Sequence, residues 1–182
     1  MKTVARVGVA LGTVAAAFAI DQVTKTWAIA QLGEGQEVAL GLGASLRLVY
    51  NSGVAFGIGG GVGAPLVVAI MALTAGLLVW ILMRAARGRS MVATALLSLA
   101  AGGAIGNLWD RTTRADGAPL TGEVVDFIAV EWFAVFNVAD IFTTLGLIGW
   151  AALLVLQREP RTSRNPTKAP SPTTKTATSR ST

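Results

Sequence analysis

Residues 102–111, GGAIGNLWDR, close an apolar run that begins at Met91, and EVVDFI (123–128) and FNVAD (136–140) follow soon after. The three segments set Asp110, Asp126 and Asp140 beside apolar runs long enough to cross a bilayer. An ionisable group at membrane depth is costly unless it is paired or watered, so these carboxylates need a chemical reason. Two carboxylates brought close cannot both ionise cheaply, and one then keeps its proton near neutral pH. The ionised partner can take a proton from water while the neutral one polarises a peptide carbonyl. Asp126 and Asp140 are the candidate pair for such peptide hydrolysis. Spacing alone does not bring them together; the intervening FIAVEWFAVF (127–136) must loop back along the membrane surface. Asp110 is the rival, but it stands next to Arg111 and reads better as a paired structural charge.

Outward from this stretch, the composition agrees with a membrane setting. The chain has 182 residues, 53% hydrophobic and 14% charged, and its mean hydropathy is +0.60. That balance is too apolar for an ordinary soluble domain. No Cys and no His occur, which excludes thiol catalysis, disulfides, a Ser-His-Asp triad and the usual zinc sites. Hydrolytic chemistry is left to carboxylates, hydroxyls or Lys.

Four spans are expected. The first, roughly 7–30, looks like a signal peptide at its start, but apolar character resumes after Lys25, so it reads as uncleaved. Asp21 and Lys25 lie near its far end and can pair on one helical face. Residues 65–83 form the second span, 91–108 the third and 137–156 the fourth. Asn137 is the expected N-cap of the last, with Asp140 in its first turn at the positive end of the helix dipole. Small residues in AGGAIGN allow the third span close helix contact. Residues 33–63 are different in kind: glycine-rich, with the strand-like alternation SLRLVY ahead of NSGVAFGIGGG. They predict a small sheet on the membrane face, with Gly59–Gly63 as a flexible connector. Asn51 and Ser52 follow that strand, and taken alone they fit an ordinary turn. Trp132 and Phe133 suit an interfacial segment over 128–136.

Residues 1–157 thus make one membrane domain. Residues 158–182, rich in Pro, Thr, Ser, Lys and Arg, make a tail that cannot bury apolar surface and is expected to be disordered. Basic residues cluster at the N-terminus (Lys2, Arg6), in the 84–89 loop and in the tail, which predicts both termini inside. Nine of the ten acidic residues then fall on the outer side, and the candidate pair lies near the outer face. A small transporter relaying ions through Asp21, Lys25 and Asp140 is a rival, but four spans are few and no inverted repeat is visible. A non-enzymatic assembly protein is a second; neither rival predicts peptide cleavage.

Five pieces, DQVTK (21–25), NSGVAFG (51–57), GGAIGNLWDR (102–111), VVDF (124–127) and FNVAD (136–140), occur together in this order. In these the sequence closely resembles lipoprotein signal peptidase, the signal peptidase II family of bacterial aspartic proteases, over about residues 5–156. The resemblance implies an α-helical membrane protein of four transmembrane helices, with a small extracytoplasmic β-cradle and an interfacial helix over the site. It implies an endopeptidase of the bacterial inner membrane that cuts prolipoproteins before a diacylglyceryl-modified cysteine, at the outer face. Asp126 and Asp140 match the catalytic dyad. Asn51, Gly53, Asn107, Arg111 and Asn137 match positions that line the site and hold substrate, and Asp21 and Lys25 match a supporting polar pair. No cofactor or metal is implied, and no nucleic-acid partner. The expected partners are the lipidated substrate and membrane lipid, and the expected state is a monomer.

Overall fold

The computed structural model describes residues 2–33, 35–53, 64–115 and 118–157. The expected connector at 59–63 and tail at 158–182 lie outside these residues, as does the VAFG end of the second motif. Among the described residues, four long helices and four strands follow in the order α1 (Thr3–Leu32), β1 (Glu37–Gly41), β2 (Ala44–Asn51), α2 (Ala64–Ala86), α3 (Met91–Thr113), β3 (Val124–Val130), β4 (Val135–Phe136) and α4 (Val138–Leu156). All four helices are long and apolar enough to cross a membrane.

Burial is arranged for lipid rather than for water. Large apolar side chains such as Val23, Leu73, Val79, Ile148 and Val155 are exposed on the helix surfaces. Much of the helical interior is instead small or charged: Ala10, Ala17, Ala28, Ala101, Asp21, Lys25 and Asp110 are fully covered. Lipid tails compete with leucines for contact but not with paired charges, so a bundle gathers its small and polar residues inside.

The central element is α3. Gly102 lies so close to α1 that a Cβ would strike Val14 and Ala17, and Gly103 faces Ala139 and Thr143 of α4 in the same way. Gly106 leaves room for the Asp21 carboxylate. The three glycines therefore let α1 and α4 approach one helix from different sides, as the small-residue run predicts. This helix continues to Thr113, beyond the end expected at Leu108, because its last polar residues are paired inside the fold.

The strands form one antiparallel sheet in the order β1-β2-β3-β4. The first two answer to the predicted sheet. The interfacial helix expected over 128–136 is not found; that segment is strand, turn and strand. Its Val, Ile and Phe content favours the pleated form, and pairing with β2 satisfies its backbone, which a lone helix turn would leave to the lipid boundary. Trp132 and Phe133 still lie exposed, at the turn. The sheet packs on the end of α1, where Ala28 and Leu32 meet Phe127 in a local core.

Candidate active site

Asp126 sits in β3 opposite Val49 of β2, and Asp140 in the first turn of α4. Between them stands Asn137, fully buried. Its side chain accepts from the Asp140 backbone N–H at 3.0 Å, while its own backbone N–H donates to Asp140 Oδ2 at 3.1 Å. That reciprocal capping box fixes the start of α4. The Asn137 amide also donates to Asp126 Oδ1 at 2.7 Å, so one residue holds both carboxylates.

Two further asparagines complete the frame. Asn51 donates to Asp126 Oδ2 at 2.8 Å, and its carbonyl accepts from the Gly53 N–H at 2.9 Å. Asn51 therefore both closes a local turn and touches Asp126. Asn107 donates to Asp140 Oδ1 at 2.9 Å and accepts from the Asn137 amide at 3.0 Å.

Behind the asparagines lies a buried charge network. Lys25 is fully covered and pairs with Asp21 at 2.9 Å and with Asp110 at 2.8 Å. Its ammonium also donates to Asn107 Oδ1 at 2.8 Å, which leaves the Asn107 NH2 to face Asp140. Asp21 in turn accepts from the Ala139 N–H at the start of α4, and Asp110 from the Val125 N–H beside Asp126. Each catalytic candidate is thus braced from α1 or α3 through one backbone bond.

The expected pairing of Asp110 with Arg111 is not found. Adjacent residues on a helix point apart, whereas Arg114, four residues on, reaches Asp110 at 3.0 Å. Arg111 instead donates to the carbonyls of Ser52, Gly53 and Gly122, tying the end of β2 to the approach to β3. Arg114 and Gln22, which donates to Asp21 and to the Gly106 carbonyl, are the supports the sequence reading missed. The i, i+4 spacing from Asp110 was the available signal for Arg114.

Both carboxylates line a cavity of about 650 Å³, shared with Asn51, Gly53, Asn107 and Arg111. Its remaining wall is mostly apolar, from Ile70, Leu108, Phe133, Val135, Phe136, Ile141 and Leu145. Burial pushes Asp126 up to about 6, helped by the neighbouring Asp140 charge and opposed by the Asn51 and Asn137 hydrogen bonds. One carboxyl able to keep its proton near neutrality, beside a second carboxylate, is what acid–base hydrolysis requires. All nine site candidates of the sequence reading belong to this assembly: Asp126 and Asp140 at its centre, Asn51, Asn107 and Asn137 touching them, Gly53 and Arg111 at the wall, Asp21 and Lys25 behind.

The family profile for Signal peptidase (SPase) II matches residues 13–156. The lipoprotein signal peptidase of Bifidobacterium adolescentis is 43% identical over 142 residues, covering 78% of this chain and 72% of the relative. That of Mycobacterium avium is 39% identical over 155 residues, covering 83% and 79%. A solved structure of a bacterial membrane enzyme superposes with a TM-score of 0.67 at 25% identity, covering 88% of this chain and 95% of that one. The chain belongs to the signal peptidase II family.

Proposed function

We propose that the chain removes signal peptides from prolipoproteins by aspartic catalysis at Asp126 and Asp140, cutting before a cysteine that carries diacylglycerol. The observation that carries this reading is the double grip of Asn137 on both carboxylates, at the wall of a cavity that is apolar elsewhere.

In this mechanism Asp126 holds the proton and Asp140 is the ionised member. A water between them attacks the scissile carbonyl carbon and gives one proton to Asp140. Asp126 donates its proton to the carbonyl oxygen, so a neutral tetrahedral intermediate forms. On collapse the carbon–nitrogen bond breaks, the leaving amine takes the proton from Asp140, and Asp126 recovers one from a hydroxyl. Asn51, Asn107 and Asn137 hold the carboxylates in place through both steps. Arg111 sets the backbone of 52–53, where an extended substrate would run.

The apolar wall supports a lipid-borne substrate. Each buried methylene of an acyl chain adds about 0.8 kcal/mol to partitioning, so two chains hold the scissile bond at headgroup depth. The basic residues favour both termini on the cytoplasmic side of the bacterial inner membrane and the dyad near the outer face; the protein acts as a monomer. Competition between a diacylated peptide and its thiol-free counterpart, in liposomes without added metal or nucleotide, tests the substrate. The lipidated form should be cleaved strongly in preference. Equal cleavage would favour a general intramembrane protease.

A further inference from the structure

At the other end of the bundle, Trp80, Met83, Arg84, Arg87 and Arg89 enclose a second cavity of about 260 Å³. The share of liquid volume of one water is about 30 Å³, so this space suits a polyatomic anion rather than a single solvent molecule. It lies roughly 25 Å along α3 from Asn107, by the rise of 1.5 Å per residue, and so is separate from the dyad.

Arg87 and Arg89 are exposed, but Arg84 and the nearby Arg6 are not merely solvated. Arg84 sits over the Trp80 ring at 5.2 Å, and Trp80 packs edge-on against Trp150 of α4. The guanidinium Nε atoms of Arg84 and Arg6 are both buried, and neither has a hydrogen-bond partner among the described residues. Arg6 enters from α1: its guanidinium packs on Gly88, which at φ 67° has no Cβ to obstruct it. Among the described residues, every ion pair lies at the dyad end, on Lys25 or Arg114, and none involves these arginines. A buried donor without an acceptor costs about 1–3 kcal/mol, more when it is charged. A basic loop held only by its position relative to the membrane would keep such donors in water.

We infer that this pocket binds the phosphate of an anionic membrane lipid, with Arg84, Arg87 and Arg89 as its ligands. The planar fork of arginine matches phosphate oxygens. Exposed apolar surface on α2, at Val79 and Met83, offers the acyl chains a place beside the headgroup. The pocket lies at the end of α2, and clustered basic residues beside a span attract anionic headgroups.

The test uses the full chain in phosphatidylcholine vesicles with and without phosphatidylglycerol, reading retained lipid by native mass spectrometry and thermal unfolding in parallel. Phosphatidylglycerol should be retained selectively and should raise the unfolding temperature. Arg84→Gln and Arg87→Gln should each weaken that retention about fivefold, at the usual strength of one basic residue near the surface. Arg47→Gln, which removes the same charge at the sheet, should leave it unchanged. Should Arg84→Gln fail to insert, Arg87→Gln and Arg89→Gln, both at exposed positions, decide the matter. Equal retention by the variants would overturn the site. Equal stabilisation by inorganic phosphate in phosphatidylcholine alone would overturn the lipid as its source.

Discussion

The two ends of the helical bundle treat charge in opposite ways. At the dyad end, Asp21, Lys25, Asp110 and Arg114 are joined in one network, and asparagines satisfy both remaining carboxylates. At the other end, Arg6 and Arg84 bury donors that nothing described in the chain accepts. The first end is complete without any bound molecule. A hydrolytic site needs its groups pre-placed, because geometry lost at the reacting atoms is lost as rate. The second end is left incomplete in the manner of a binding site.

The largest effects should come from the centre of the complete end. Asp126→Asn and Asp140→Asn should each lower turnover by about a thousandfold or more, as removal of an essential acid or base does. Arg87→Gln should leave turnover in phosphatidylcholine vesicles near that of the parent. Cleavage by purified, well-inserted variants measures both. Near-normal turnover by either aspartate variant would falsify the dyad.

Next comes the brace. Lys25→Met leaves Asp21 buried without its cation and Asp110 with Arg114 alone, which should cost about 3–5 kcal/mol of stability. Asp110→Asn keeps an oxygen for the Val125 N–H and should retain partial activity. A small stability loss in Lys25→Met, read by thermal unfolding in one detergent, would show that the network is not what stiffens this end.

Much of this was legible in the sequence, and the reasons differ by residue. The spans were legible because hydropathy over some twenty residues is a long signal. Asp126 and Asp140 were picked out by chemistry and resemblance, but their approach was not, since it depends on β3 pairing in register with β2. The helix expected over 128–136 failed because aromatic and β-branched residues fit an interfacial helix and an edge of sheet equally well, and only the partner strand decides. The partner of Asp110 is Arg114 and not its neighbour Arg111, because sequence adjacency is not spatial adjacency on a helix. In sequence the basic segment at 84–89 is legible only as a marker of orientation. The buried Nε atoms of Arg84 and of Arg6 in α1 follow from how α1 and α2 cross, which composition does not contain.

A more moderate effect concerns pH. Asp126 lies near 6, and the active pair needs one proton, so kcat/KM should fall as pH rises past the upper apparent pKa of the pair. The Asn51 hydrogen bond favours the charged form of Asp126. Asn51→Ala removes it, which raises that pKa and moves the alkaline limb to higher pH. A hydrogen bond to a charged group contributes about 1.5–3 kcal/mol, and about 1.4 kcal/mol is one unit, so a shift of roughly one to two units is expected. An alkaline limb that stays in place would show that the proton lost there is not held at Asp126.

The smallest effect should come from the tail. Residues 158–182 lack the apolar content to add to either end of the bundle, and none of the five motifs lies in them. Ending the chain after Arg161 removes four of the six basic residues of this segment and leaves Arg158 and Arg161. Cleavage of a diacylated peptide by the truncated protein should therefore stay within about twofold of the full chain, since surface changes away from packed features are usually within about 0.5 kcal/mol. The same truncation also sharpens the comparison between the two ends. Were the tail itself the anionic-lipid binder, truncation would abolish selective phosphatidylglycerol retention while Arg87→Gln would not. If the pocket of Arg84, Arg87 and Arg89 is the binder, the order is reversed. A large loss of cleavage in well-inserted truncated protein would show instead that the tail reaches the catalytic end, which neither its composition nor the placement of the motifs predicts.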